Sequence, residues 1–417
     1  MLRINYKKVA VPILMIIILM YSGSLFYMSH NVQLQYGMLG IALIAFLIAN
    51  KNGLLNNFIR TSDTYCISFI WLYAISMLVN MFTESGMGFA LYYLYELLLF
   101  IVGYIIICLV PYERFKKCYI NIITIIAAVS LICWLIPDAI RQIAPFNFVR
   151  GSWRFSSLFF YNLNLAVPTR NCGPFWEPGM YQAYLCFAML LIVTDSKEKH
   201  QWGRLLILSF TVITTFSSTG YFLLVVVLML KLYQSRQPVH KFVWSVLVII
   251  VGTVLILNIQ NVLNYIDQYT LYSVGGKFYS DGNESVATRL YSGICDIEVA
   301  FTHPFGVNRA NAETLRRLVA TQYGKVTAST NTFTTILVYF GWIPCIAYAA
   351  LWVRGCCRFQ RTVINRILSI IMIVAIMMTE LHVDLWFLQI IVLYWSSCYE
   401  AKGNMLEARF EVEESSK

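Results

Sequence analysis

Charge is scarce in this chain. Asp, Glu, Lys and Arg make up only 12% of its 417 residues, against about 25% in an ordinary soluble protein. That scarcity excludes a soluble domain carried on a single anchor. Metal-binding spacing is also missing. The 11 cysteines form no CxxC or Cys/His pattern, so neither a structural zinc site nor a catalytic metal is expected. Most thiols lie inside apolar runs (Cys66, Cys108, Cys133, Cys186, Cys345), where Cys acts as a small apolar filler. The first apolar run, residues 9–28, lacks a clear small-residue cleavage site and reads as a retained helix, not a signal peptide. There is no convincing internal repeat and no low-complexity segment.

What the chain has in abundance is apolar length. It is 59% hydrophobic, with a mean hydropathy of +0.65, and runs of membrane-spanning length recur from end to end. The pattern predicts spans at 9–28, 34–50, 65–83, 89–110, 118–137, 177–194, 204–217, 219–233, 242–260, 330–353, 367–381 and 384–399. With the N-terminus inside, most basic residues fall in inside segments, from Arg3, Lys7 and Lys8 to Arg354, Arg358, Arg361 and Arg366. The short outside turns near 29–33, 84–88 and 381–383 carry none, which is the positive-inside pattern. The net charge of +10 thus maps to sides of a membrane, and no nucleic-acid partner is expected. Residues 204–233 read as either one long helix or two short ones broken at Ser217–Gly220. Two crossings keep the arginine-rich segment 354–366 inside and are preferred.

The expected fold is an all-α polytopic integral membrane protein of about 12 transmembrane helices with two long external loops, the second partly helical. Helices 1–5 occupy residues 1–137 and the first loop 138–176. Helices 6–9 occupy 177–260 and the second loop 261–329. Helices 10–12 and a cytoplasmic tail occupy 330–417. Both termini are expected on the cytoplasmic side.

The two loops hold the remaining basic residues, and these are mostly arginine: Arg141, Arg150, Arg154, Arg170, Arg289, Arg309, Arg316 and Arg317, beside Lys277 and Lys325. Arg grips phosphate or carboxylate with a planar fork, so this bias points to an anionic ligand or to anionic lipid headgroups. Aromatics accompany them, suited to sugar rings or to an interface belt. In the second loop Val286, Leu290, Ile294, Ile297 and Phe301 form a helical stripe. His303-Pro304-Phe305-Gly306 breaks it, and a second helix is expected near Asn311 with Arg316 and Arg317 on its polar face.

Individual residues carry two readings each. Arg170 precedes a Gly-Pro turn and is a ligand candidate or a rim arginine on lipid. Glu177 precedes Pro178, a residue favoured at the first helical position. It is either a proton acceptor or a carboxylate resting on the helix dipole. Arg289 is an anion-binding candidate or a partner of Glu284 or Asp296. His303 is a general base or a turn residue. Glu96 lies mid-span, a functional position by default or a partner of a polar group on another helix. Glu380, His382 and Asp384 cluster at the outer end of the last hairpin, placed to face the arginines or simply hydrated. Phe175 and Trp176 are expected at the interface. Cys172 and Cys295 both lie in outer loops, which leaves a disulfide open.

The order of "RNCGPFWEPGMYQAY" (170–184), "TFSSTGYFLLVV", "SVATRLYSGICDIEVAFTHPFGV" and "STNTFTTILVYFGW" resembles the bacterial O-antigen polymerase and ligase superfamily. These are polytopic inner-membrane glycosyltransferases. The resembling stretch is about 170–345. Ligases carry a His before the late Asn, where this chain has Thr330-Asn331, which favours the polymerase branch. An Arg-x10-Gly spacing described for some polymerases is missing from the outer loops. The resemblance implies metal-independent polymerisation of undecaprenyl-diphosphate-linked oligosaccharide repeat units at the periplasmic face, for lipopolysaccharide O-antigen biosynthesis. It implies no cofactor, with Arg289, Glu177 and His303 as catalytic residues. Arg170, Arg154, Asn331 and Arg309 would bind substrate and diphosphate. Its implied partners are the bilayer, the lipid-linked repeat units, a chain-length regulator and a flippase. The alternatives are an O-antigen ligase or a lipid-linked oligosaccharide flippase.

Overall fold

In a computed structural model, the described residues are 6–25, 37, 64–85, 90–150, 153–194, 201–233, 242, 245–246, 283–322, 331–360, 362–383 and 385–397. Nearly all of the expected spans 34–50 and 242–260, and the tail beyond 397, lie outside them. The chain is mostly helical, with 14 helices among the described residues. They are α1 (Tyr6–Met20), α2 (Thr64–Asn80), α3 (Ala90–Leu109), α4 (Tyr112–Leu135), α5 (Pro137–Ile143), α6 (Pro178–Thr194) and α7 (Gln201–Thr214). Then follow α8 (Ser218–Tyr233), α9 (Asn283–Thr302), α10 (Arg309–Gln322), α11 (Thr332–Phe340), α12 (Trp342–Phe359), α13 (Val363–Thr379) and α14 (Trp386–Ser396).

Two helices form the centre. α6 is buried from Pro178 to Val193 and α14 along its whole length. Both are apolar all round, as a helix enclosed by others must be. Phe187 and Phe387 meet edge to face, and Tyr119 stacks on Phe387 at 4.1 Å. α4, α7, α8 and α13 surround α6, while α1, α2, α3 and α12 surround α14. The outer helices turn further apolar side chains outward: Trp71 and Ile75 on α2, Ile125 and Ile132 on α4, Phe210 on α7, Ile367 and Ile371 on α13. Segments Thr64–Thr83, Tyr92–Leu109 and Tyr112–Leu135 are each long and apolar enough to cross a membrane. Glu96 is fully buried on α3.

The bundle has two ends. At the lower end Trp395 donates to the Tyr112 hydroxyl, Tyr394 donates to the Val110 carbonyl, and Arg354 Nε donates to the Ser396 carbonyl. The Arg354 guanidinium also lies over the Tyr65 ring, 3.6 Å from its centroid. Arg204 Nη2 donates to the Asn121 side-chain oxygen. At the upper end lie the 138–176 segment and the paired helices α9 and α10. Asn80, at the top of α2, donates to the carbonyls of Phe305 and Tyr339 and so ties α2 to this end.

The segment 204–233 is a helical hairpin. Residues 215–217 break it, and Lys231 at the end of α8 lies over the Trp202 ring at the start of α7. The expected single helix over 330–353 is corrected. It breaks at Gly341 into α11 and α12. The Cys345 thiol donates to the Phe333 carbonyl at 3.3 Å, across a separation of about 18 Å in a continuous helix. α11 therefore folds back on the top of α12.

The first loop adds to the expected all-α fold a three-stranded antiparallel sheet: β1 (Phe146–Arg150), β2 (Trp153–Ser157) and β3 (Asn162–Asn164). Phe148 pairs with Phe155, and Phe155 with Asn164. The cause is the alternation of Phe146, Phe148, Trp153 and Phe155 around a Gly-Ser connection, a period of two and not of 3.6.

Candidate functional site at the upper end

The stretch from Arg170 to Gln182 is a knot of local hydrogen bonds. The Asn171 side chain accepts from the Gly173 N–H and donates to Ser130 and Thr214. Gly173 has φ +51°, and a Cβ there would sit 2.6 Å from the Tyr181 ring, so only glycine fits. Phe175 stacks on Tyr184 at 4.6 Å and is buried. This corrects its expected interfacial place, because the chain end of α1 covers it. Leu25 N–H donates to the Pro174 carbonyl, and Trp176 N–H to that of Gly23.

Arg170 is anchored. Its Nε donates to the Thr215 carbonyl at 3.1 Å and Nη2 to that of Phe216 at 3.2 Å. These carbonyls sit at the C-terminal end of α7, where a cation is favoured. Phe216 has φ +49°, a costly conformation for a bulky residue, and Arg170 holds its carbonyl in place. Burial lowers the Arg170 pKa, while Cys172, Glu177, Tyr221 and Glu380 act to raise it. A guanidinium has five N–H donors, so three remain beyond the two used on α7.

Glu177 precedes α6, and its carbonyl accepts from Tyr181. Its Oε1 is buried with no hydrogen-bond partner among the described residues. Glu380, in the α13–α14 turn, reaches the same helix end. A Cβ on Gly179 would overlap Glu380 Oε1, so the missing side chain at Gly179 admits the carboxylate. Thr332 fixes that turn from the other side. Its hydroxyl donates to the Glu380 carbonyl at 2.7 Å and accepts from the His382 N–H at 2.9 Å. His382 is fully buried against the Tyr184 ring. Neither ring nitrogen has a hydrogen-bond partner among the described residues. Burial lowers its pKa to about 3, against a raising effect of the Ile376 carbonyl. One turn below Gly179 on α6, Gln182 is fully buried with Nε2 unpartnered, and its Oε1 lies near Gly220.

The other expected residues take distinct places. Asn331 caps α11, accepting from the N–H groups of Phe333 and Thr334. This is the side-chain cap that helix starts require, so its oxygen is spent on structure. His303 is held in the turn after α9, with Nδ1 near the Thr302 hydroxyl and the Val299 carbonyl. Gly306 in that turn, at φ +85°, abuts the Tyr339–Phe340 backbone, while Gly341, at φ +89°, abuts Pro304 and Phe305. The His-Pro-Phe-Gly motif therefore docks the α9–α10 pair onto the α11–α12 break. Arg154 is exposed on β2 and Arg309 exposed at the start of α10. The Arg289 backbone lies in α9, one turn before Gly293, whose own position faces Asn331 and Thr334. Its side chain and Asp384 lie outside the described residues.

One further expectation is corrected, and the disulfide left open is settled. Asp296 pairs with Arg316, and its other oxygen accepts from the Thr334 hydroxyl at 2.6 Å. Arg316 is thereby buried and not on the polar face of α10, which Arg317 occupies. The Ala312, Arg316 and Ala320 row leaves room for it beside α9. Cys172 and Cys295 are both free thiols, so no disulfide joins the loops. Among the described residues, no three His, Cys, Asp or Glu side chains form a group that could hold a metal ion.

Sequence reasoning missed Gly179, Gln182 and Tyr221. Gln182 was the findable one, a polar side chain in an otherwise apolar helix. No protein-family model, curated protein or solved structure matches the chain.

Proposed function

We propose that this protein is a multi-pass membrane glycosyltransferase that polymerises lipid-diphosphate-linked oligosaccharide repeat units, the O-antigen type of polymerase, with its upper end facing the periplasm. The observation that carries the reading is the meeting of three broken elements at one end. The N-terminus of α6, the α7–α8 break and the α13–α14 turn bring Arg170, Glu177 and Glu380 within electrostatic reach of one another. Interrupted helices in a bilayer are tolerated where they line a cavity or pack inside the protein. The apolar outer faces of the bundle and the basic residues at its lower end fit a membrane with the cytoplasm below.

In the reaction, the leaving group is a lipid diphosphate whose charge grows as the glycosidic bond breaks. Arginines of the two upper segments (Arg289, Arg154 and Arg309, with the spare donors of Arg170) are suited to stabilise it, as preorganised donors do. The acceptor is a sugar hydroxyl of a second lipid-linked unit, and a carboxylate or imidazole at the same end takes its proton. Of the two expected acceptors, Glu177 has a free buried oxygen, whereas His303 is engaged in its turn.

Deletion of the gene in cells that carry it tests the reading. The expected result is loss of the polymer ladder with single repeat units still attached to the lipid core, restored by the wild-type gene. Loss of single repeats as well would point to a ligase. Accumulation of untransported lipid-linked units on the cytoplasmic leaflet would point to a flippase.

A further inference from the structure

Glycosyl transfer to a hydroxyl needs one group that takes the hydroxyl proton. Arg170 and Glu177 are the residues that draw the eye in the sequence, yet Arg170 spends two donors on α7 carbonyls. It acts as a clamp on the strained Phe216 turn. The carboxylate delivered most deliberately to this end is that of Glu380. Its backbone carbonyl is gripped by Thr332, itself the first residue of α11. Its carboxylate fills the space that Gly179 leaves open on α6. Beneath it on the same face of α6, at the i+3 position that lies over the same side of the helix, is Gln182, 0% exposed and with Nε2 unpartnered. A buried amide N–H left without an acceptor is destabilising. A sugar hydroxyl, both donor and acceptor, is the kind of group that satisfies it.

Resting on the glycosyl-transfer reading, we propose that Glu380 is the proton acceptor of the reaction, that Gln182 binds a hydroxyl of the acceptor sugar beside it, and that Gly179 is the spacer that admits the carboxylate. The step balances with the groups named. The acceptor O–H bond breaks and its proton passes to a Glu380 oxygen. The freed oxygen forms a bond to the anomeric carbon of the donor. The bond from that carbon to the phosphate oxygen breaks, and its electron pair leaves with the lipid diphosphate. Arg170, within electrostatic reach of Glu380, is a positioning residue here.

The test is chain growth by purified full-length protein in detergent, fed lipid-linked repeat units extracted from the cells that make them. Glu380→Gln is expected to lower turnover by about 100-fold or more, with KM for the lipid-linked unit changed by less than about threefold. Formate is expected to restore turnover to Glu380→Ala by about tenfold, an effect that a purely structural role does not produce. Gly179→Ala is expected to fall in the same direction as Glu380→Gln. Should Glu380→Gln not accumulate, Glu380→Asp carries the same test, since it keeps the charge and withdraws the carboxylate by one methylene. The proposal is overturned if Glu380→Gln keeps more than about a third of wild-type turnover, if its loss lies in KM, or if formate leaves Glu380→Ala inactive. Absence of chain growth by the wild-type protein overturns the glycosyl-transfer reading itself, and this inference with it.

Discussion

The Asp296–Arg316 pair joins the α9–α10 cap to α11, and removing one member isolates the other in a dry place. Asp296 is 0% exposed and Arg316 2%. Arg316 Nε donates to one Asp296 oxygen and the Thr334 hydroxyl to the other. Asp296→Ala leaves the guanidinium uncompensated, at a cost of roughly 3–5 kcal/mol. It also removes the short bond from the Thr334 hydroxyl to the carboxylate, adding about 1 kcal/mol. At on the order of 2 °C per kcal/mol, the purified protein should melt about 8–12 °C lower, read by tryptophan fluorescence in detergent. Asp296→Leu combined with Arg316→Met removes both charges and should recover most of that loss, because a buried pair is worth little more than apolar packing of like volume. A single variant that melts with the wild type refutes the claim that the pair locks the cap. A double variant as unstable as the single refutes the mechanism of an uncompensated charge.

Two other outcomes follow from the geometry. Gly341→Ala must place a Cβ 2.5 Å from the Pro304 carbonyl oxygen at φ +89°. That positive-φ, extended-ψ region is open essentially to glycine alone and costs about 1–3 kcal/mol for other residues, so this variant should accumulate poorly, and wild-type yield and melting would contradict the docking of the His-Pro-Phe-Gly turn against the α11–α12 break. His382 has a folded-state pKa of about 3, below the roughly 6.5 of an unfolded chain. The unfolded state therefore takes a proton first, and stability should fall as pH drops from about 6.5 toward 3, by up to about 1.4 kcal/mol per pH unit. His382→Gln should flatten that slope in melts across the range, and an unchanged slope would remove His382 as its source.

Much of the scaffold was legible in the chain. The short apolar runs around Ser217 signalled the α7–α8 hairpin. Pro178 marked the start of α6, and the Val286–Phe301 stripe marked α9. The break at Gly341 was not legible, because the apolar run passes through it and a positive φ has no sequence mark beyond the glycine itself. The sheet was hidden by reading its aromatics as an interface belt instead of counting their period. Arg316 looked like surface because burial of a charge depends on a partner, Asp296, twenty residues away on another helix. The site was half visible. The Arg170–Glu177 hinge stood out, and Glu380 and His382 were visible as a cluster. What brought Glu380 to that hinge, the open space at Gly179 and the grip of Thr332, is a matter of tertiary packing alone.

The central claim is chemical, and purified wild-type protein incubated with lipid-linked repeat units tests it most directly. The account predicts products lengthened by whole repeat units, each with release of one lipid diphosphate, in detergent and without any other protein. Intact single units, with no lipid diphosphate released by a protein that remains folded, would contradict it.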